Sequence, residues 1–135
     1  MILTTSMKHV REIGRSLEST GKRILMQGIS GGKGKQLAIF LADPDAAVIV
    51  GTIDMWREEL DLWKAARHVV IAKLPFDPPT DPYFLARTVG IANNFALYSE
   101  PMTIIKMSTL ISRIRSAGYN GTISCEDIRL QETIW

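Results

Sequence analysis

The sequence predicts an α/β fold, a three-layer sandwich with a mainly parallel sheet, and three observations predict it. Short apolar runs, residues 46–50 and 69–72 among them, have the character of strands buried on both faces. Between such runs lie stretches with apolar residues three or four apart, the mark of amphipathic helices. The alternation of the two implies parallel strands joined by right-handed helical crossovers. At 135 residues, 46% of them hydrophobic and 22% charged, the chain is long enough for one domain, 1–135, with a well-buried core.

Residues 2–4 open the chain as a short strand. Ser6 caps a helix over 7–19, where Met7, Val10, Ile13 and Leu17 form one apolar stripe, and Gly21 ends it. A second strand over 22–26 leads into a glycine-rich loop and a helix over 34–42, with Leu37, Phe40 and Leu41 inward. Asp43-Pro44 breaks that helix. Residues 46–50 form a third strand, apolar throughout and therefore expected at the centre of the sheet. A short helix over 54–64 follows, packed through Trp56 and Trp63, and then a fourth strand over 69–72.

That fourth strand runs into Lys73-Leu74-Pro75-Phe76-Asp77-Pro78-Pro79-Thr80-Asp81-Pro82. Four prolines within eight residues fix φ and carry the chain along a rigid path from the sheet's carboxyl edge. Open α/β folds place their ligands at that edge. Asp81-Pro82 reads as an N-cap followed by proline at the first helical position. Helices over 82–95 and 101–117 follow, the second with Met102, Ile105, Leu110, Ile111 and Ile114 on its buried side. Gly118-Tyr119-Asn120-Gly121 then turns the chain into a fifth strand over 122–125.

Sixteen basic and fourteen acidic residues leave a net charge of +2, too small to argue for nucleic acid by itself. The distribution is more informative. Residues 1–36 hold seven basic residues against two acidic ones, a net of +5, so the remainder sums to −3. A basic first third can attract phosphates, although a solvated helix face with ordinary loop lysines has the same composition. No apolar run reaches the length of a membrane span, which makes the cytoplasm the expected compartment and a membrane an unexpected partner. The lone Cys125 has no internal disulfide partner.

Catalytic patterns are sparse. The stretch from Gln27 to Gln36 invites a phosphate-loop reading, which requires a glycine, four residues, then glycine, lysine and a hydroxyl residue. Gln27 and Ile29 occupy the positions where the first glycine should stand, and neither Lys33 nor Lys35 is followed by Ser or Thr. A plain strand-to-helix connection accounts for the loop; Ser30 and its backbone N–H groups remain candidates for a phosphate contact. Thr5 and Ser6 stand where the first strand meets its helix, with hydroxyls suited either to capping or to phosphate. Thr52 follows Gly51 at the end of the third strand and presents a hydroxyl at the ligand edge. His9 and His68 have no carboxylate or thiol at metal-ligand spacing, so no metal site is expected.

Several of these segments resemble the second motor domain of the DinG-like DNA helicases, relatives of XPD. Lys73 to Pro82 matches a "K-L-P-F-x-x-P-x-x-P" segment, Thr4-Thr5-Ser6 an "F-T-S", and Gln27-Gly28-Ile29-Ser30 a "Q-G-x-S". Gly51-Thr52 with Trp56 matches "G-T-x-x-F-W", and Gly121 with Asp127, Arg129 and Leu130 a terminal "G-x-x-x-x-x-D-x-R-L". They come in family order and cover about the whole chain. The resemblance implies a RecA-like (P-loop NTPase-type) domain that contacts single-stranded DNA through Thr5, Ser6, Ser30 and Thr52. It implies one wall of an interdomain ATP cleft at Arg115. ATP and magnesium are then held only with an N-terminal motor domain in the same or another chain, and by nothing in the isolated chain.

Two departures stand out. Where the family continues "W-E-G-V-D" this chain reads Trp56-Arg57-Glu58-Glu59-Leu60-Asp61, with charge in place of the glycine and the aspartate one position late. The last motor motif, "Q-x-x-G-R-x-I-R-S-x-x-D-x-G", here has Ser108, Ile111 and Ser112 at its glutamine, glycine and first arginine, and Tyr119 at its aspartate; Arg115 and Ser116 persist. That first arginine reaches the γ-phosphate in the family, where such a charge is worth several orders of magnitude in rate. Arg113 is one residue away and is expected to point elsewhere, since one step turns a helix by about 100°. Two other readings therefore stand beside the helicase one: a non-catalytic single-strand-binding or docking module, and an unrelated flavodoxin-like ligand binder.

Overall fold

A computed structural model describes residues 1–129. Five strands, β1 (Ile2–Thr4), β2 (Arg23–Met26), β3 (Ala47–Thr52), β4 (His68–Ile71) and β5 (Thr122–Cys125), form one sheet in the order β2-β3-β1-β4-β5. Every pairing is parallel. The middle strand is β1; β3, expected there, lies one place over, between β2 and β1.

The helices are α1 (Met7–Ser16), α2 (Lys33–Ala42), α3 (Ile53–Trp56), α4 (Leu60–Ala65), α5 (Pro82–Thr88) and α6 (Glu100–Ser116). Strand order fixes their faces. The β1-to-β2 crossover runs toward one edge of the sheet, whereas the crossovers from β2 to β3, β3 to β4 and β4 to β5 all run toward the other. With one hand for every crossover, α1 lies on one face and the later helices on the opposite one. Packing agrees. α1 lies across β2 and β3, where Gly14 leaves room for the Met26 side chain: a Cβ there would stand 2.1 Å from its sulfur. On the other face Leu3, Leu25, Ile49, Val69 and Ile71 pack with Phe40 of α2, Trp56, Leu62 and Trp63 of α3–α4, and Leu110 and Ile114 of α6. Trp56 and Trp63 are fully buried, as their expected packing role requires.

Several helices end sooner than periodicity suggests. After Ser16 the Leu17 N–H is shared between the carbonyls of Ile13 and Gly14, and the chain tightens into a 3₁₀ turn, Glu18–Thr20. Gly21 then takes φ 74°. The helix expected over 54–64 is two, separated at Arg57–Glu59, and the one expected over 82–95 stops at Thr88 ahead of Gly90 at φ 80°. A π-helical turn, Phe95–Ser99, precedes α6. On α6 the buried residues are Thr103, Leu110 and Ile114; Ile105, assigned to the buried side, is 56% exposed.

Candidate functional site

β1 turns toward α1 on one face while its neighbours β3 and β4 turn toward the other, so the loops leaving their carboxyl ends diverge. A cleft opens at such a switch point. In this chain it is a cavity of about 660 Å³, bounded by Thr4, Thr5 and Ser6 at the end of β1, by Thr52, Ile53, Asp54, Arg57 and Glu58 at and beyond the end of β3, and by residues 75–78 after β4. One side of α6 closes it through Ile105, Lys106, Thr109, Leu110 and Arg113.

The hydroxyls of this rim differ in what they already bond. Thr4, paired in register with Thr52, is fully buried and its Oγ1 has no partner among the described residues. Thr5 is exposed. Ser6 caps α1 by accepting from the His9 N–H at 3.3 Å, and its Oγ lies 3.0 Å from His9 Nδ1. Thr52 donates its N–H to Gln27 Oε1 at 2.7 Å and its hydroxyl to the same oxygen at 3.1 Å. Gln27, known from sequence only as a motif letter, is thus the residue that fixes the β3 loop. Gly51 explains the spacing to Trp56: a Cβ on it would stand 2.1 Å from the indole Nε1.

Ser30 and Arg115 lie elsewhere. The Ser30 hydroxyl accepts from the Met26 N–H at 2.9 Å, and the N–H groups of Ile29 and Ser30 both donate to the Met26 carbonyl. The buried Gln36 amide ties the same carbonyl to that of Gly31, at 3.0 and 2.8 Å. The N–H groups of Ile29 and Ser30, and the Ser30 hydroxyl, are thus spent inside the loop. Arg115 borders a separate, smaller hollow with Tyr119, Asn120, Gly121 and Ile123, beside the beginning of β5. Two residues separate it from Arg113, a rotation of about 200° around α6, so the two cannot share a face.

Lys106 and Arg113 border the cavity although neither is a candidate from the sequence. Arg113 lines it with Thr5, Ser6 and Thr52, and pairs with Glu58. The helical register held the signal, since Ile105, Thr109 and Arg113 are four apart and share one side of α6. Three cations border the cavity, and each meets an acid. Lys106 Nζ lies 2.6 Å from Asp77 Oδ1, and Arg57 lies 3.5 Å from Glu58 and 3.9 Å from Asp54.

The wall after β4 is held from the chain's far end. Asp127, 2% exposed, accepts from the Leu74 N–H at 2.8 Å through Oδ2, and through Oδ1 from the Arg129 N–H and Nε at 3.0 and 2.9 Å. The Arg129 guanidinium bonded to it holds the Asp127 carboxyl well below the usual carboxylate range, against the opposing effect of burial. Arg129 also reaches the Leu74 carbonyl and stacks on Phe76, 4.5 Å from the ring centroid. Leu130, the last letter of that motif, lies outside the described residues. Among those residues no cluster of His, Cys, Asp or Glu could hold a metal ion, and no helix is long and apolar enough to cross a membrane.

Comparison with known proteins gives two matches. The family described as helicase C-terminal domain matches residues 1–135. A 3'-5' exonuclease, DinG, of Bacillus subtilis (strain 168) is 32% identical over 128 residues, which cover 90% of this chain and 14% of that protein. No solved structure matches.

Proposed function

The chain belongs to the helicase C-terminal domain family, and from that premise we propose that it is the second motor domain of a DinG-like, ATP-dependent DNA helicase, one that contacts single-stranded DNA at the carboxyl edge of its sheet. The all-parallel α/β sheet is that of a RecA-like domain. The observation that carries the DNA reading is the cavity at the switch point, where Thr5, Ser6 and Thr52 from two loops meet Lys106 and Arg113 from α6. Hydroxyls and cations on one rim suit a run of phosphates, which fix a strand's position without reading its sequence. Thr5 is the hydroxyl most available to a ligand. Ser6 serves α1, and Thr52 is oriented by Gln27.

In this reading the nucleotide is held between two motor domains, so ATP and magnesium bind only with an N-terminal partner. Arg115 is the residue the family motif assigns to the cleft wall, and its position away from the DNA rim is compatible with a partner on another side. Ser30 contributes to its loop rather than to the rim. The non-catalytic module stays as the second reading, favoured by Ser112 at the finger position and by an Arg113 that pairs with Glu58.

The test is a fluorescence-anisotropy titration with a labelled oligodeoxythymidine at low salt. Binding that weakens about three- to tenfold in Thr5→Val with Thr52→Val, a loss of about 1 kcal/mol, supports the rim. Absence of binding at low salt by a folded protein contradicts it.

A further inference from the structure

The cavity presents a contradiction if it receives nucleic acid: its cations are already spoken for. Arg57, Lys106 and Arg113 border the cavity together with Asp54, Glu58 and Asp77, and the local charge is zero. A neutral rim gives no electrostatic pull on a phosphate. Yet the pairs are only partly shielded. The side-chain exposures are 40% and 57% for Arg113 and Glu58, and 36% and 32% for Lys106 and Asp77. Ion pairs so placed are weak and exchange readily. Behind them stands the buried Thr4 hydroxyl, a polar group on the cavity wall with no hydrogen-bond partner among the described residues.

We propose that Lys106 and Arg113 are phosphate ligands masked by Asp77 and Glu58, and that a nucleic-acid backbone binds by exchanging those carboxylates for its own phosphates. The inference rests on the DNA reading above and adds to it the residues that carry affinity and the acids that hold it down. The two masks sit on different loops. Glu58 follows α3 and Asp77 follows β4, whereas both cations stand on α6, seven residues apart and therefore two turns along one side. The ligand thus engages one rigid helix, and the loops carry the acids away. Lys106 also touches the Pro75 carbonyl at 3.4 Å, so its release frees the proline segment from α6 at that point.

The experiment compares wild-type protein, Glu58→Gln with Asp77→Asn, Lys106→Gln with Arg113→Gln, and the fourfold variant, each titrated with labelled oligodeoxythymidine over a range of salt. Unmasking is expected to tighten binding about three- to tenfold. Loss of the two cations is expected to weaken it, to flatten the slope of log affinity against log salt by about 1.4 for two lost contacts with a single strand, and to abolish the gain in the fourfold variant. Glu58→Gln alone, at an exposed position, serves if the double replacement fails to fold. If wild type binds but unmasking leaves affinity unchanged or lower, the mask is refuted and the DNA reading stands. If neither wild type nor the unmasked protein binds, both fall. Competition by ATP at lower concentration than by unlabelled oligonucleotide would reassign the phosphate ligands to a nucleotide and overturn the backbone assignment.

Discussion

Asp127 is two residues from Arg129 and fifty-three from Leu74, and its carboxylate joins all three. The motif was legible in the sequence as letters, but its work was not, because no spacing reveals that a carboxylate will accept from a backbone N–H on another loop. Its depressed pKa fixes the sign of a pH effect. A carboxyl whose folded pKa lies below its unfolded value of about 4 adds stability that is present above that value and lost as pH falls toward the folded one. Asp127→Asn is therefore expected to cost about 1–3 kcal/mol in urea unfolding at pH 7, with the deficit shrinking below about pH 4. A deficit unchanged between pH 7 and pH 3 would mean that packing, not charge, is what Asp127 supplies. Thr5 and Thr52 were legible for a simpler reason: hydroxyls at the ends of parallel strands have one edge on which to stand.

Among the elements, all five strands were legible, because a buried parallel strand leaves an apolar run that little else imitates. Helix ends were less so. At Leu17, Arg57 and Gly90 local hydrogen bonding and positive-φ glycine ended helices that apolar periodicity would have continued. The register of α6 was legible in part. Leu110 and Ile114 are buried as expected, but Ile105 and Arg113 face the cavity, a side that matching to the family motif had led away from. The β3 loop makes a sharp prediction at this scale. Gly51 accepts the Trp56 indole where a Cβ would clash, with Gln27 Oε1 only 3.1 Å from the same point. Gly51→Ala should destabilise by about 1–3 kcal/mol, through displacement of a fully buried indole or of the strand. Chemical unfolding followed by tryptophan fluorescence reads both the loss and the displaced ring; an unchanged midpoint would mean that the loop absorbs a methyl group freely.

For the whole molecule, strand order decides where a ligand can be. One crossover toward β2 and three toward β5 leave the switch point around β1, and the cavity lies there. The sequence implied parallel strands but held no signal for their order, which long-range pairing sets. It therefore could not show that Arg115, assigned to the wall of a nucleotide cleft, stands in a different hollow from the one that Thr5, Ser6 and Thr52 border. If, as proposed, the nucleotide is held between two motor domains, one of them alone cannot turn it over. The isolated chain is expected to show no ATP hydrolysis with magnesium, with or without single-stranded DNA; steady turnover in a preparation free of contaminating ATPase would contradict the shared-cleft reading. If single-stranded DNA lies across the carboxyl edge of the sheet, an amide NMR titration of the isotope-labelled chain with oligodeoxythymidine will show where it binds. Shifts concentrated at Thr5, Ser6, Thr52, Lys106 and Arg113 are the predicted result, and shifts confined to Arg115, Tyr119 and Asn120, or none at all, would contradict that placement.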